Sequence, residues 1–219
     1  MLPIFIGTDH RQHIAYTVLQ HSIATRASKP VAVTPLLLPQ LPIQRRGLTD
    51  FTFSRYLVPY LCDYQGWALF LDGDFLCLTD IYKILEQADE QYAVQVVKSR
   101  MQFEWASMML FNCAACQALT PEFIEKGEPQ KLDWGPVGTL TADWNHLVGY
   151  DQPRDDAKLV HYTQGIPAFL EMKGTEYYDH WHAELGQCLD SCSWLELMGT
   201  SVHAQPVVNR IQQQTQIAN

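Results

Sequence analysis

The chain has 219 residues, 47% hydrophobic and 18% charged, which is enough to bury a core as one domain and too apolar for wholesale disorder. Its net charge of −9 argues against a nucleic-acid partner and against a polybasic membrane patch, since both need a basic footprint. No stretch reaches the length of a membrane span and the start lacks the basic and long apolar regions of a secretion signal, so no integral membrane segment and a cytoplasmic location are expected.

Residues 2–7 are an apolar run that reads as a buried first strand and ends at Gly7-Thr8-Asp9. A helix is predicted over 10–27. Asp9 and Gln12 form a capping pair, Ile14, Val18, Leu19 and Ile23 form the buried stripe, and Pro30 ends it. Residues 31–38 are strand-like and run into Pro39 and Pro42. This strand–helix–strand unit is the start of a parallel sheet.

A second helix is predicted over 53–64, with Tyr56, Leu57, Tyr60 and Leu61 on one face and Gly66 past its end. Residues 67–74 form an apolar strand that runs into two carboxylates. A short helix over 80–88, a strand over 92–98 and an extended apolar segment over 108–111 follow. Residues 121–144 read as irregular, 159–162 as a last short strand, and 177–189 as a helix. Residues 200–219 form a polar, glutamine-rich tail. With no repeat and no long linker, the expectation is a single α/β domain over 1–219.

The six cysteines are Cys62, Cys77, Cys113, Cys116, Cys188 and Cys192. Cys113 and Cys116 have CxxC spacing, but no second pair with matching histidines completes a zinc pattern. Reduced, largely buried thiols are the expected state.

Leu71-Asp72-Gly73-Asp74 is the most informative stretch. A buried strand favours apolar residues, yet this one ends in acids two positions apart, which in regular strand geometry point to one face. Two like charges this close repel, and a hard divalent cation relieves that cost because Mg²⁺ and Mn²⁺ favour carboxylate oxygen. Open α/β sheets bind ligands beyond the carboxyl ends of their strands, where this pair falls. The bland alternative is that the acids cap the turn into the next helix. A third ligand must come from elsewhere. His161 ends a short strand and is chemically acceptable beside two carboxylates, although a core histidine bonded to backbone has the same pattern.

Other residues carry weaker signals. Trp134, beside Gly135 in the irregular segment, is the best candidate for stacking on a sugar face, though tryptophan is more often core. Asp133 and Asp143 are the nearest carboxylates to such an acceptor region, and each reads more readily as structural or orienting. Arg11 and His13 read as a solvated first turn rather than as phosphate ligands.

Five segments in order resemble the family 8 retaining glycosyltransferases: Phe5-Ile6-Gly7-Thr8-Asp9, Phe53-Ser54-Arg55-Tyr56, Phe70-Leu71-Asp72-Gly73-Asp74, Leu110-Phe111-Asn112, and His161-Tyr162-Thr163-Gln164-Gly165. The resemblance spans about residues 4 to 170. It implies a GT-A-like fold with a mostly parallel central sheet flanked by helices. It also implies a nucleotide-sugar donor such as a UDP-hexose, a carbohydrate or other hydroxyl acceptor, and Mn²⁺ or Mg²⁺ as cofactor. By position, Asp72, Asp74 and His161 match the metal ligands. Thr8 and Asp9 match the contact to base and ribose, Arg55 a basic residue that reaches the donor, Asn112 an asparagine near the donor sugar, and Gly165 the glycine after the metal histidine. The family often has a lysine after that glycine, where this chain has Ile166-Pro167-Ala168-Phe169.

Two competing functions share this sheet. A nucleotidyltransferase would make the nucleotide sugar, but Gly7-Thr8-Asp9-His10-Arg11 is a poor version of its glycine-rich basic loop. A non-catalytic sugar-nucleotide-binding protein fits the altered segment after Gly165.

Overall fold

The computed structural model of the chain describes residues 1–9 and 13–190. Gln12, Arg11, Cys192 and the polar tail over 200–219 lie outside the described residues.

Among the described residues, nine strands form two sheets. They are β1 (Pro3–Gly7), β2 (Ala32–Leu36), β3 (Trp67–Leu71), β4 (Phe75–Cys77), β5 (Val94–Val96), β6 (Met108–Asn112), β7 (Val137–Thr139), β8 (His146–Leu147) and β9 (Leu159–His161). Five helices accompany them: α1 (His13–Arg26), α2 (Phe51–Ser54), α3 (Val58–Leu61), α4 (Pro121–Lys126) and α5 (Tyr178–Asp190). The central sheet has the order β2-β1-β3-β6-β5-β7. Three of its five pairings are parallel, and β6 runs antiparallel to both neighbours, so the sheet is mostly parallel. The smaller sheet has the order β4-β9-β8.

The pleat sorts each strand's apolar run to two faces. Ile4, Ile6, Leu69, Leu71, Met108 and Leu110 pack with Leu19 and Ile23 of α1. Phe5, Ala68, Phe70, Met109 and Phe111 pack on the other face with Tyr56, Leu57 and Ile124. Each such side chain, fully buried, contributes about 1.5–3 kcal/mol relative to exposure. The near-continuous apolar runs of β1, β3 and β6 are what a sheet covered on both faces requires.

The predicted stripe of α1 holds at Val18, Leu19 and Ile23, but Ile14 is 42% exposed. Ala15 and Ser22 take the buried positions instead, and Ser22 Oγ accepts a hydrogen bond from the Cys77 amide at 3.1 Å.

The predicted helix over 53–64 is broken into α2, a 3-10 turn at Arg55–Leu57, and α3. Pro59 lacks the N–H that an uninterrupted helix would use, and it sits in the first turn of α3, where that donor is not needed. The segment expected to be helical over 80–88 is a 3-10 helix, Ile81–Gln87, capped by Asp80 Oδ1 accepting from the Tyr82 amide at 3.1 Å.

The region read as irregular over 121–144 contains α4 and β7. Thr120 caps α4 by accepting from the Phe123 amide at 3.2 Å, with Pro121 at the favoured first position. Strands β4 and β8 were not anticipated. They are three and two residues long, too short to show a period.

Helix α5 closes the smaller sheet. Trp181 packs with Val18, Leu76, Val160 and Tyr162, and buried Glu184 holds Arg26 of α1 at 2.7 Å and also pairs with His21. No described helix is long and apolar enough to cross a membrane.

Candidate metal centre

The two aspartates occupy the turn between β3 and β4, where the chain leaves the central sheet and enters the smaller one. They do not continue the strand, so the side-chain alternation expected of them does not apply. The Asp72 amide donates to the Ser107 carbonyl at 2.8 Å, which ties the turn to the start of β6. The Asp74 carbonyl accepts from the Tyr162 amide at 3.0 Å, which ties it to the end of β9. Gly73 permits this crossing, because a Cβ there would lie 2.6 Å from the Gly7 carbonyl oxygen. The first and third strands can thus bring their carboxyl ends together only through a residue without a side chain.

His161 reaches the pair by strand register. It is opposite Phe75 in the antiparallel β4–β9 pairing, and its ring stacks on Phe75 at 4.2 Å with 13° between planes. One oxygen each from Asp72 and Asp74 and one nitrogen of His161 lie within 4.8 Å of one another.

Nε2 of His161 is 3.2 Å from Asp74 Oδ1, and Nη2 of Arg55 is 3.2 Å from Asp72 Oδ1. These are ion-pair separations, yet neither buried oxygen has a hydrogen-bond partner of acceptable geometry. Buried carboxylate oxygens without partners are costly, and together with an imidazole they make a hard O,O,N donor set. The residues present therefore fit a divalent cation such as Mn²⁺ or Mg²⁺.

The surrounding polar groups orient these side chains. Asn145 is buried, and its Nδ2 donates to Ser107 Oγ at 3.0 Å and to the Glu104 carbonyl at 3.4 Å. A carbonyl can only accept, so this fixes the amide orientation and leaves Asn145 Oδ1 to accept from His161 Nδ1–H at 3.1 Å. The Nε2 lone pair then faces the aspartates, as a metal-ligating tautomer requires. Glu104, only 6% exposed, adds Oε2 at 3.8 Å from His161 Nδ1, and its Oε1 accepts from Thr163 Oγ1 at 2.5 Å.

Burial pushes the Asp72 carboxyl up to about 7; Asp74 and Glu104 add to the rise, while Arg55 and His161 pull it back. Burial opposes the imidazolium of His161, but Asp74 first and then Asp72 and Glu104 outweigh it, so its pKa is raised. Without a cation, this imidazolium and the Arg55 guanidinium supply the positive charge.

Other predicted residues also gather here. Thr8 and Asp9 are buried at the end of β1 and line a small recess with Gly73, Asp74 and Tyr16. The Thr8 hydroxyl donates to the Ile6 carbonyl at 3.2 Å. Gly165, at φ 112°, closes the turn after β9, its amide donating to the Tyr162 carbonyl at 2.7 Å. Arg55 is beside the site but largely committed. Nε donates to the Phe51 carbonyl at 3.2 Å and Nη1 to the Ala106 carbonyl at 2.7 Å, which leaves the guanidinium as a brace for Asp72.

Three predicted residues lie elsewhere. Asn112 pairs with Trp67 at the start of β3, whereas Leu71, beside the aspartates, pairs with Met108. Four residues of strand put Asn112 about 13 Å down the sheet, and its side chain donates to the Glu90 carbonyl at 3.4 Å. Trp134 and Asp133 precede Val137, which pairs with Val94, itself opposite Phe111, so both belong to that same far end. Trp134 stacks on Phe111 and donates to the Pro129 carbonyl at 2.8 Å, and Asp133 is exposed. Asp143 is held by Lys158 at 2.8 Å. Sequence reasoning missed Glu104 and Asn145. Their one signal is a polar residue beside a large aromatic, Glu104 between Phe103 and Trp105 and Asn145 after Trp144.

No protein-family model matches the chain. Protein CDI of Arabidopsis thaliana is 35% identical over 222 residues, covering 83% of this chain and 85% of that protein. Among solved structures, the WbbM bifunctional glycosyltransferase superposes with a TM-score of 0.64 at 14% identity over 84% of this chain. The glycosyltransferase GlyE of Streptococcus pneumoniae TIGR4 gives 0.60 at 16% over 87%. The galactosyltransferase LgtC, in complex with donor and acceptor sugar analogs, gives 0.57 at 11% over 85% of this chain and 96% of its own. The chain spans 49% of the WbbM chain and 63% of the GlyE chain. At these identities the likeness establishes the fold, and the fold is that of the GT-A glycosyltransferases.

Proposed function

This chain belongs to the family of Arabidopsis thaliana Protein CDI, and we propose that it is a metal-dependent glycosyltransferase that moves a hexose from a UDP-sugar to a hydroxyl acceptor with retention, in the manner of family 8. The observation that carries this reading is the O,O,N cluster of Asp72, Asp74 and His161, with two buried carboxylate oxygens that lack a hydrogen-bond partner, at the mouth of a GT-A sheet. Mn²⁺ (or Mg²⁺) held by these three residues would stabilise the charge that develops on the departing diphosphate.

The remaining groups support the same chemistry. Asn145 fixes the His161 tautomer, so the imidazole offers a lone pair without reorganisation. Arg55 braces Asp72 and adds a fixed positive charge at the edge of the site. The recess of Thr8 and Asp9 beside Asp74 suits the nucleoside end of the donor. A larger cleft is lined by Lys98, Ser99, Asn145, His146 and Arg154, and its mixed donors and acceptors suit an acceptor hydroxyl. His146 in that cleft is buried, with Nε2 bonded to Glu176 at 2.9 Å and Nδ1 without a hydrogen-bond partner.

The test is a melting-temperature screen of UDP-sugars with Mn²⁺ or with chelator, followed by transfer assays on the donor that binds. A donor-dependent rise that needs Mn²⁺ and disappears in Asp74→Asn is expected, since a ligand that binds only the folded state stabilises it. No shift with any common nucleotide sugar refutes the proposal. Binding with neither hydrolysis nor transfer points instead to a sugar-nucleotide-binding protein.

A further inference from the structure

The cleft lined by Lys98, Ser99, Asn145, His146, Asp151 and Arg154 has a volume of about 400 Å³, within the range of about 300–1,000 Å³ usual for small-molecule sites. Strand β5 leads into Lys98 and Ser99, Asn145 and His146 stand at the start of β8, and Asp151 and Arg154 belong to the loop after β8. One wall also supports the metal centre, because Asn145 Oδ1 accepts from His161 Nδ1.

His146 is fixed in this wall, its ring fully buried. Its Nε2 is 2.9 Å from Glu176 Oε1. A carboxylate can only accept, so Nε2 carries the proton of the neutral ring and Nδ1 keeps a lone pair. Tyr177 stands edge-on to the ring at 5.8 Å and donates its hydroxyl to the Arg154 carbonyl, while Glu176 Oε1 also accepts from the Arg154 amide at 3.2 Å. The ring, its carboxylate and the loop of the cleft are therefore braced together. Nδ1 has no hydrogen-bond partner and is 3.9 Å from Asp151 Oδ2. That oxygen accepts one bond, from the Leu147 amide at 2.9 Å, and has capacity for another. Two acceptors thus stand side by side, and a buried acceptor left unpaired is costly until a ligand supplies the donor.

Register separates His146 from the metal ligands. His146 is opposite Val160 and Leu147 is opposite His161. Adjacent residues on a strand point to opposite faces, so the His146 ring is turned away from the face of His161. It can hold a hydroxyl remote from the reacting one, but it is not placed to take the reacting proton. The charges of the lining balance: Lys98 and Arg154 stand against Asp151 and Asp156, and Arg154 is bound to Asp156 through Nε at 2.7 Å and Nη2 at 3.0 Å. A balanced lining offers an anionic ligand no net attraction.

We propose that this cleft binds a neutral polyhydroxylated acceptor, a sugar or polyol, with one hydroxyl donating to His146 Nδ1 and a neighbouring hydroxyl to Asp151. Glu176 is the positioning residue that fixes the His146 tautomer. The proposal rests on the transferase reading, from which the cleft takes its acceptor role. A serine or threonine side chain has one hydroxyl and cannot serve both acceptors while also reacting, which sets this class apart from a protein acceptor.

The test is ligand-observed NMR with Mg²⁺ present, using methyl glucoside, sucrose and myo-inositol as neutral probes and glucuronate and galacturonate as anionic ones. Long-range proton–nitrogen spectra of the histidine rings accompany it. The expected result is binding of at least one neutral probe, with a shift of an unprotonated His146 Nδ1. Asp151→Asn and His146→Phe should each weaken that probe by about tenfold, the worth of one hydrogen bond. Glu176→Ala should leave the ring in mixed tautomers and weaken the same probe. No binding by any neutral probe, binding of the anionic probes alone, an Nδ1 resonance that ignores the bound probe, or a neutral ring protonated on Nδ1 overturns the proposal, and the unsubstituted chain decides each of these if a variant fails to fold. A neutral probe seated at His146 in a chain with no UDP-sugar response would overturn the transferase reading and leave the hydroxyl site standing.

Discussion

Asp72→Asn separates the cost of a buried charge from the role of that charge in holding a cation. In the metal-free protein, burial first and Asp74 beside it push the Asp72 carboxyl up to about 7, net of the opposing pull of Arg55. An ordinary aspartate titrates near 3.9, so the rise is about three units, worth about 4 kcal/mol. The sign follows from linkage. A folded-state pKa raised above the unfolded value means that the unfolded chain ionises first, so the carboxylate lowers stability as pH rises from about 4 to about 7. Asparagine mimics the neutral acid and avoids this loss.

In chelator near pH 8, Asp72→Asn is therefore expected to be more stable than the unsubstituted chain by up to about 4 kcal/mol. That corresponds to roughly 8–16 °C in Tm at about 2–4 °C per kcal/mol for a domain of this size. The gain shrinks to about 0.5 kcal/mol by about pH 4. With Mn²⁺ the order reverses in response. The unsubstituted chain gains about 2.7 kcal/mol at roughly a hundredfold excess over Kd, and the variant gains little. Differential scanning fluorimetry across pH, with and without Mn²⁺, reads both effects. A variant less stable than its parent in chelator at every pH refutes the buried-charge argument, and a variant that keeps the full Mn²⁺ response removes Asp72 from the metal site.

Asn145→Ala should weaken Mn²⁺ binding by about 10–100-fold in a metal titration, because His161 loses the group that fixes its tautomer. Unchanged affinity would count against that role. Gly73→Ala should cost roughly 1–3 kcal/mol in chelator, since the added Cβ must push the Gly7 carbonyl away from 2.6 Å. An Ala variant that melts with its parent would mean that the crossing is loose. Glu184→Gln should lower stability by roughly 1–3 kcal/mol while leaving the Mn²⁺ response intact, because it weakens the buried tie from α5 to Arg26 and His21. Loss of the metal response in that variant would instead link α5 to the site.

The sequence alone carried the elements whose apolar runs are long or whose chemistry is out of place. The runs at β1, β3 and β6 were legible because a strand covered on both faces has no polar positions to interrupt it. Asp72 and Asp74 stood out because two charges two positions apart at the end of such a run need compensation, and His161 because it ends a short strand of its own. Register alone decided which residues join them. Asn112, Asp133 and Trp134 share motif or local character with a donor site, yet antiparallel pairing of β6 with β3 and parallel pairing of β7 with β5 put them at the far end. Pairing likewise carries Glu104, ahead of β6, and Asn145, ahead of β8, from separate segments to His161. Side-chain periodicity reports what a residue does to its own strand or helix. Which distant residues meet is fixed by strand order and pairing, which depend on the whole packed sheet.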